Sequence, residues 1–300
     1  MPVLLVLNEL SCAHQMPQES VGRAMEAFVA TLRAVESAAV LVTSEKLPNI
    51  ELAQGYPMSR WAADGRNRDL WRAIRLKQSR APFTFAELEP VGPEDGEYRH
   101  EGVLAKGLGV AHGHEGLAVS LATHGNWSKT SVGLTRLWIE ADQVNDAEVV
   151  VRHASCADHV DSHTDWLKTC ELDATVESGL QIWTRRADYF PSLTFLARVQ
   201  NDLGTLTPQW VRPVLIRLRE LDMAIGGWRR TGAALPVWGS HTTGEYEGRR
   251  RICEFEDMDG VTQVFDWHSR FTPGHGRIHF RLVSADRSAR VAYIGRKLGV

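Results

Sequence analysis

The chain is poor in lysine and cysteine and has no long apolar stretch. No run approaches the ~18 consecutive apolar residues of a membrane-spanning helix, so an integral helical membrane protein is excluded. The opening Met1-Pro2-Val3-Leu4-Leu5-Val6-Leu7 lacks a basic leader and breaks at Asn8-Glu9. It reads as a first strand, and the expected location is cytoplasmic, with no membrane partner. Four widely spaced cysteines (Cys12, Cys156, Cys170, Cys253) fit reduced thiols in that compartment. A glycine-rich dinucleotide fingerprint, a phosphate-binding loop, a Gly-x-Ser-x-Gly elbow and a His-Glu-x-x-His helix are all missing. Rossmann nucleotide binding, P-loop NTPase, serine hydrolase and zincin readings are therefore set aside.

What is present is ordinary in bulk: 300 residues, 43% hydrophobic, 24% charged, with a net charge of -3. That length holds about one or two domains. The charge is uneven. Residues 1–186 carry 18 basic and 25 acidic side chains (-7), residues 187–300 carry 16 and 12 (+4), and from Thr262 onward the count is 7 against 2 (+5). A polyanionic partner is therefore expected at the C-terminal end.

Periodicity predicts a strand at 3–7, a helix over 18–35 and a strand at 38–43, followed by helix over 51–80 and a loop at 90–96. Strands are predicted at 117–122, 132–139 and 149–151, and a helix over 157–172. After a boundary near 180–190, two helices are predicted over 192–203 and 208–225. Pro208 and Pro213 fall in the opening turns of the second, and Gly226-Gly227 ends it. A four-stranded antiparallel meander over 250–255, 261–268, 277–283 and 291–294 completes the chain, with a hairpin turn at Asp259-Gly260. Asn8, Glu9 and Ser11 follow the first strand, where open α/β sheets bind ligands; a carboxylate there also suits a helix N-terminus.

The C-terminal strands are the most informative. Alternation puts Arg277, His279 and Arg281 on one face and Ile278, Phe280 and Leu282 on the other. His268, Arg270, Arg296 and Lys297 join the cationic group from adjoining strands. Arginine forks bind phosphate, and an imidazole can move a proton near neutral pH. Trp267, beside His268, is the stacking candidate for a base, while most of the ten tryptophans sit in apolar runs that suggest core.

Two helices before an antiparallel sheet, a Gly276-Arg277-Ile278-His279-Phe280-Arg281 strand and a last strand ending Ile294-Gly295-Arg296-Lys297 resemble the RelE/HigB superfamily of ribosome-dependent mRNA interferases. The resemblance covers roughly 190–300. It implies Arg277 on the transition-state phosphate, Arg296 or Lys297 as the terminal basic residue, and His268 with Arg270 on the preceding strand, His268 acting as acid or base. The chain departs from it in lacking a tyrosine beyond Tyr293, in its large N-terminal half, and in an insertion over 229–248.

A second constellation is His153, Cys156, His159 and His163. On a helix the last three share a face, offering a zinc set with His153 or Cys170 as fourth ligand. The set lacks a Cys-x-x-Cys pair, and a histidine-rich helix packed on Trp166 accounts for it equally. His112 and His114 are expected on a solvent-facing turn.

The sequence thus reads as α+β: a mixed α/β regulatory or partner-binding lobe over 1–180 and a RelE-like lobe over 187–300. The expected function is a toxin-like or antiphage-defence ribonuclease acting on mRNA. Its partners would be RNA or the ribosome, with an antitoxin or defence-complex protein; no cofactor is expected beyond the zinc just described. The alternatives are a non-enzymatic subunit using the same lobe as a binding platform, and a zinc-dependent hydrolase at 153–170.

Overall fold

A computed structural model describes residues 3–13, 16–35, 39–82, 84–89, 96–140, 143–238, 242–271 and 275–299. It is α+β and divides into two units, one ending at Glu171 and the other running from Leu172. No described helix is long and apolar enough to cross a membrane, and all four cysteines are free thiols. The loop expected at 90–96 lies outside the described residues except for Gly96.

In the first unit the strand Leu4–Leu7 is apolar and buried at every position, as a strand covered on both faces requires. The helix Val21–Ala34 turns Val21, Met25, Phe28, Val29 and Leu32 into the core and returns the chain to the strand Val40–Val42, parallel to the first. Leu117–Val119 pairs in parallel on the other side, and Gln143–Ala154 follows it. Ser131–Glu140, Glu97–His100 and Val103–Leu104 extend the sheet antiparallel to seven strands. The region expected as helix over 51–80 begins instead with a hairpin, Glu51–Ala53 and Tyr56–Pro57, before the helices Met58–Ala63 and Arg68–Ser79. The helix expected over 157–172 is two helices, Ala157–Asp161 and Thr164–Ala174.

The second unit is a five-stranded sheet in the order Leu193–Phe195, Ser288–Arg296, Gly276–Val283, Trp267–Phe271, Thr242–Gly244. The first pair is parallel and the others antiparallel. Three expectations are corrected here. Residues expected as helix over 192–203 give the strand Leu193–Phe195 and only a short helix, Val199–Gly204. Ladder bonds to the last strand, extended by Leu196 N–H donating to Val291 O (2.9 Å), outweigh their helical spacing. The helix Pro208–Thr231 runs through Gly226-Gly227, because burial of Trp228 rewards the extra turn, and stops at Gly232 in the left-handed region. The expected meander splits: Glu254–Glu256 and Thr262–Val264 form a separate hairpin around Asp259-Gly260, with Gly260 at φ 78°.

One face of this sheet receives the helix Pro208–Thr231, with Trp210 edge-on to Phe271 at 5.0 Å and Val211, Leu215, Leu218 and Ile225 in the same core as Ile278, Phe280 and Ile294. The opposite face carries the cationic strand positions.

Gly107, in the helix Lys106–Gly113, allows that helix to approach the first strand. A Cβ there would collide with the Leu7 carbonyl oxygen and the Glu9 carboxylate. Gly107→Ala is expected to destabilise the chain by about 1–3 kcal/mol, measured as a lowered urea midpoint with unchanged m-value.

Candidate functional site

Antiparallel pairing sets His268 opposite His279 and Arg270 opposite Arg277, and His279 opposite Tyr293 on the last strand. Directly opposed residues share a face, so one side of three strands carries His268, His279, Tyr293, Arg270 and Arg277. The imidazoles stand 5.7 Å apart, and His279 lies 5.9 Å from the Tyr293 ring. Gly295, opposite Arg277, leaves room for Tyr293, whose hydroxyl donates to Arg296 O at 2.8 Å. The sequence-predicted group His268, Arg270, Arg277 and His279 is brought together.

That group is covered rather than open. His268 is 5% exposed, Arg277 3% and His279 1%. The cover comes from the inserted segment. Thr243 pairs with His268 across the edge strand, with its Oγ1 3.3 Å from Nε2. Glu245 brings a buried carboxylate to 3.4 Å from His268 Nδ1, too long for a well-formed hydrogen bond, and ion-pairs with Arg249 Nε at 3.2 Å. Arg249 in turn donates from Nη2 to Leu298 O at 2.5 Å. The 3-10 segment Glu247–Cys253 ends at the buried thiol of Cys253.

Burial, then the charges of Arg277 and Arg270, push the His268 pKa down to about 2. Burial also pushes His279 down to about 4, partly offset by a main-chain contact with Phe265 and reinforced by Arg277 and Arg249. In the covered state both rings are neutral, and His268 is a weak base there because burial and the arginines oppose its protonation. This corrects the expectation of an imidazole titrating near neutrality. Burial raises the Cys253 thiol to about 11, with Glu245 adding to the rise and Arg249 opposing it.

Four other sequence candidates stand elsewhere. Trp267 is opposite Phe280 on the helix-covered face and packs 5.3 Å from Trp238, because alternation sends it away from His268. It is half-buried there, packed against the core. The Arg281 guanidinium is engaged by Asp257 Oδ2, which also accepts from Arg290 Nη1 at 2.8 Å, so it is not presented to a polyanion. Arg296 alternates away from Tyr293 and Gly295, and it is exposed. Lys297 is half-buried, and its N–H donates to His275 O at 2.6 Å. Sequence reasoning missed Glu245, Arg249, Cys253 and Asp257, which no motif spacing marks.

The zinc set His153, Cys156, His159 and His163 is not assembled. Both nitrogens of His153 are used, 2.6 Å from Lys129 O and 2.6 Å from Ser120 Oγ. His163 Nε2 lies 3.1 Å from the His153 carbonyl, with its ring edge-on to Trp166, and His159 Nδ1 accepts from Ser155 N–H at 3.4 Å. Hydrogen bonding within the fold takes both nitrogens of His153 and one each of His159 and His163. His112 and His114 are likewise not solvent-facing turn residues: His112 ends a helix 3.2 Å from the Tyr98 hydroxyl, and His114 Nε2 is 2.9 Å from Leu88 O.

After the first strand, Glu9 accepts from Lys106 N–H (2.6 Å) and Gly107 N–H (2.8 Å), capping that helix. Burial nevertheless leaves its pKa raised. Asn8 Nδ2 donates to Ser120 Oγ at 3.0 Å, and Ser11 Oγ accepts from Leu121 N–H at 3.1 Å. These residues stitch strand ends together. No family model matches the chain, and neither a curated protein nor a solved structure matches it.

Two outcomes follow from the charged groups. Burial pushes the Asp257 carboxyl up, but bonds from Met258 N–H, Arg281 and Arg290 together hold it below the usual range. Its stabilisation is present above the unfolded carboxylate pKa and lost as pH falls through the lower folded one. Asp257→Asn is expected to cost about 1–3 kcal/mol at pH 7 and less in acid, read by urea unfolding followed at a tryptophan of the second unit. His153 behaves oppositely in cause: burial pushes it down to about 4. An imidazole of depressed folded pKa stabilises above its unfolded value near 6.5, and the stability falls between about pH 6.5 and 4, by up to about 3 kcal/mol. Urea midpoints at pH 7.5 and 5.0 should show this loss, and His153→Gln should remove part of it.

Proposed function

We propose that the C-terminal unit is a latent ribonuclease of RelE-like chemistry, toxin-like or serving antiphage defence, held closed by its own inserted segment. The observation that carries this reading is the cross-strand pair Arg270–Arg277 beside the pair His268–His279 on one sheet face, together with the resemblance of the last strands to the RelE/HigB pattern. With the cover displaced, two guanidinium forks would hold an RNA phosphate. The 2′-hydroxyl would attack that phosphate and His268 would shuttle its proton to the departing 5′-oxygen, giving a 2′,3′-cyclic phosphate and a 5′-hydroxyl. Arg277 and Arg270 would stabilise the extra negative charge on the phosphorane oxygens. Exposed Arg296 and half-buried Lys297 at the strand end would engage the RNA or ribosome backbone. The uncovering agent would be the ribosome itself or the loss of an antitoxin or defence-complex partner, and the first unit would supply regulation.

Burial of Arg277, His268 and His279 favours a second reading: a non-enzymatic subunit in which the network is structural and the lobe is a binding platform. One experiment separates them. Full-length wild type, Glu245→Ala and Glu245→Ala/Arg277→Ala are expressed in bacteria, with growth and RNA 5′ ends recorded. The ribonuclease reading expects Glu245→Ala to arrest growth and create discrete new mRNA ends, both reduced about 100-fold by adding Arg277→Ala. A folded Glu245→Ala protein that leaves growth and RNA unchanged would overturn it in favour of the platform.

A further inference from the structure

The buried side chains beneath the cover form a donor set of their own. Glu245, Cys253 and His279 each place a ligand atom within 4.8 Å of the others. They come from three separate segments: Glu245 just beyond the edge strand Thr242–Gly244, Cys253 at the end of the 3-10 segment, and His279 in the central strand Gly276–Val283. Such convergence of a carboxylate, a thiol and an imidazole in a protein interior has a cost unless each finds a partner. His279 finds none of good geometry. It is 1% exposed, and neither ring nitrogen completes a hydrogen bond. A buried histidine whose ring has no more than a loose main-chain contact with Phe265, beside a thiol and a carboxylate, has the character of a metal ligand.

We propose that Glu245, Cys253 and His279 form a site for a divalent transition metal of the zinc class. Thiolate and imidazole select zinc over the hard cations magnesium and calcium, and a carboxylate commonly completes such a set. Bond lengths of about 2.0–2.3 Å hold donors of a tetrahedral zinc about 3.5 Å apart, so side-chain movements of roughly an ångström close the site. On binding, the Cys253 S–H loses its proton to solvent as the sulfur–metal bond forms. The thiolate and the Glu245 carboxylate then balance the two charges of the ion. That balance matters here because Arg249 already ion-pairs with Glu245, and Arg270 and Arg277 lie close by. His268 Nδ1 stands 3.4 Å from Glu245 Oε2, next to this donor set. This site is distinct from the His153–His163 group, in which His153 has both nitrogens in hydrogen bonds, and it does not depend on any action on RNA.

The test uses the full chain, stripped with a chelator, dialysed against zinc chloride and analysed by elemental mass spectrometry. The expected result is about one zinc per chain, lost in folded Cys253→Ala and retained in Cys156→Ala/His159→Ala. A folded chain that takes up only traces of zinc overturns the proposal. So does zinc that survives Cys253→Ala and disappears with Cys156→Ala/His159→Ala. Should Cys253→Ala fail to fold, a variant untouched at the site decides: Cys12→Ala/Cys156→Ala/Cys170→Ala, which keeps one sulfur ligand, Cys253. Loaded with cobalt(II), it should show thiolate-to-metal charge transfer in the near ultraviolet. Cobalt bound without that band overturns the assignment.

Discussion

Arginine and histidine side chains lie almost wholly buried against one face of a small sheet, and the C-terminal unit is organised by the need to compensate them. Removing an ion from water costs several kcal/mol unless opposite charge and hydrogen bonds replace the solvent. A close pair at an effective dielectric of ~20 returns about 4 kcal/mol, so each cation needs a partner delivered within a few ångströms. Glu245 and Asp257 supply carboxylates to arginines of this unit, Glu245 from just beyond the edge strand and Asp257 from the hairpin around Asp259-Gly260. Asp257 joins Arg281 and Arg290; Glu245 joins Arg249 and approaches His268. The same compensation that makes burial tolerable closes the face.

Closure gives the site its chemical character. The imidazoles are neutral because burial and neighbouring guanidinium groups both oppose protonation. A neutral histidine between arginines keeps a lone pair free for a metal, and it becomes an effective proton acceptor only once burial is relieved. Access by a phosphodiester requires the inserted segment to move. That movement would break the ladder of Thr242–Gly244 with Trp267–Ser269 and the bond from Arg249 to Leu298 O.

Much of the architecture was legible. Unbroken apolar runs marked the buried parallel strands at Leu4–Leu7 and Val40–Val42, and spacing marked Val21–Ala34. Alternation along Gly276–Val283 placed Arg277 with His279 and against Phe280. Readings failed where long-range pairing overruled local pattern. Leu193–Phe195 became a strand through its ladder with Ser288–Arg296, and Pro208–Thr231 passed Gly226-Gly227 because Trp228 had a core to enter. The histidine group at 153–163 looked like ligands because spacing reports direction, whereas Lys129 O, Ser120 and the His153 carbonyl had already taken the nitrogens.

By itself the sequence determined the α+β class, the core-facing residues of its long helices and the cationic face of the C-terminal strands, since each follows from periods of 2 or 3.6 residues acting over one element. Only tertiary structure decided that this face is covered, that Asp257 holds Arg281 and Arg290, and that Glu245, Cys253 and His279 meet. Burial and charge pairing depend on which distant segments approach, and nothing in local periodicity encodes that approach.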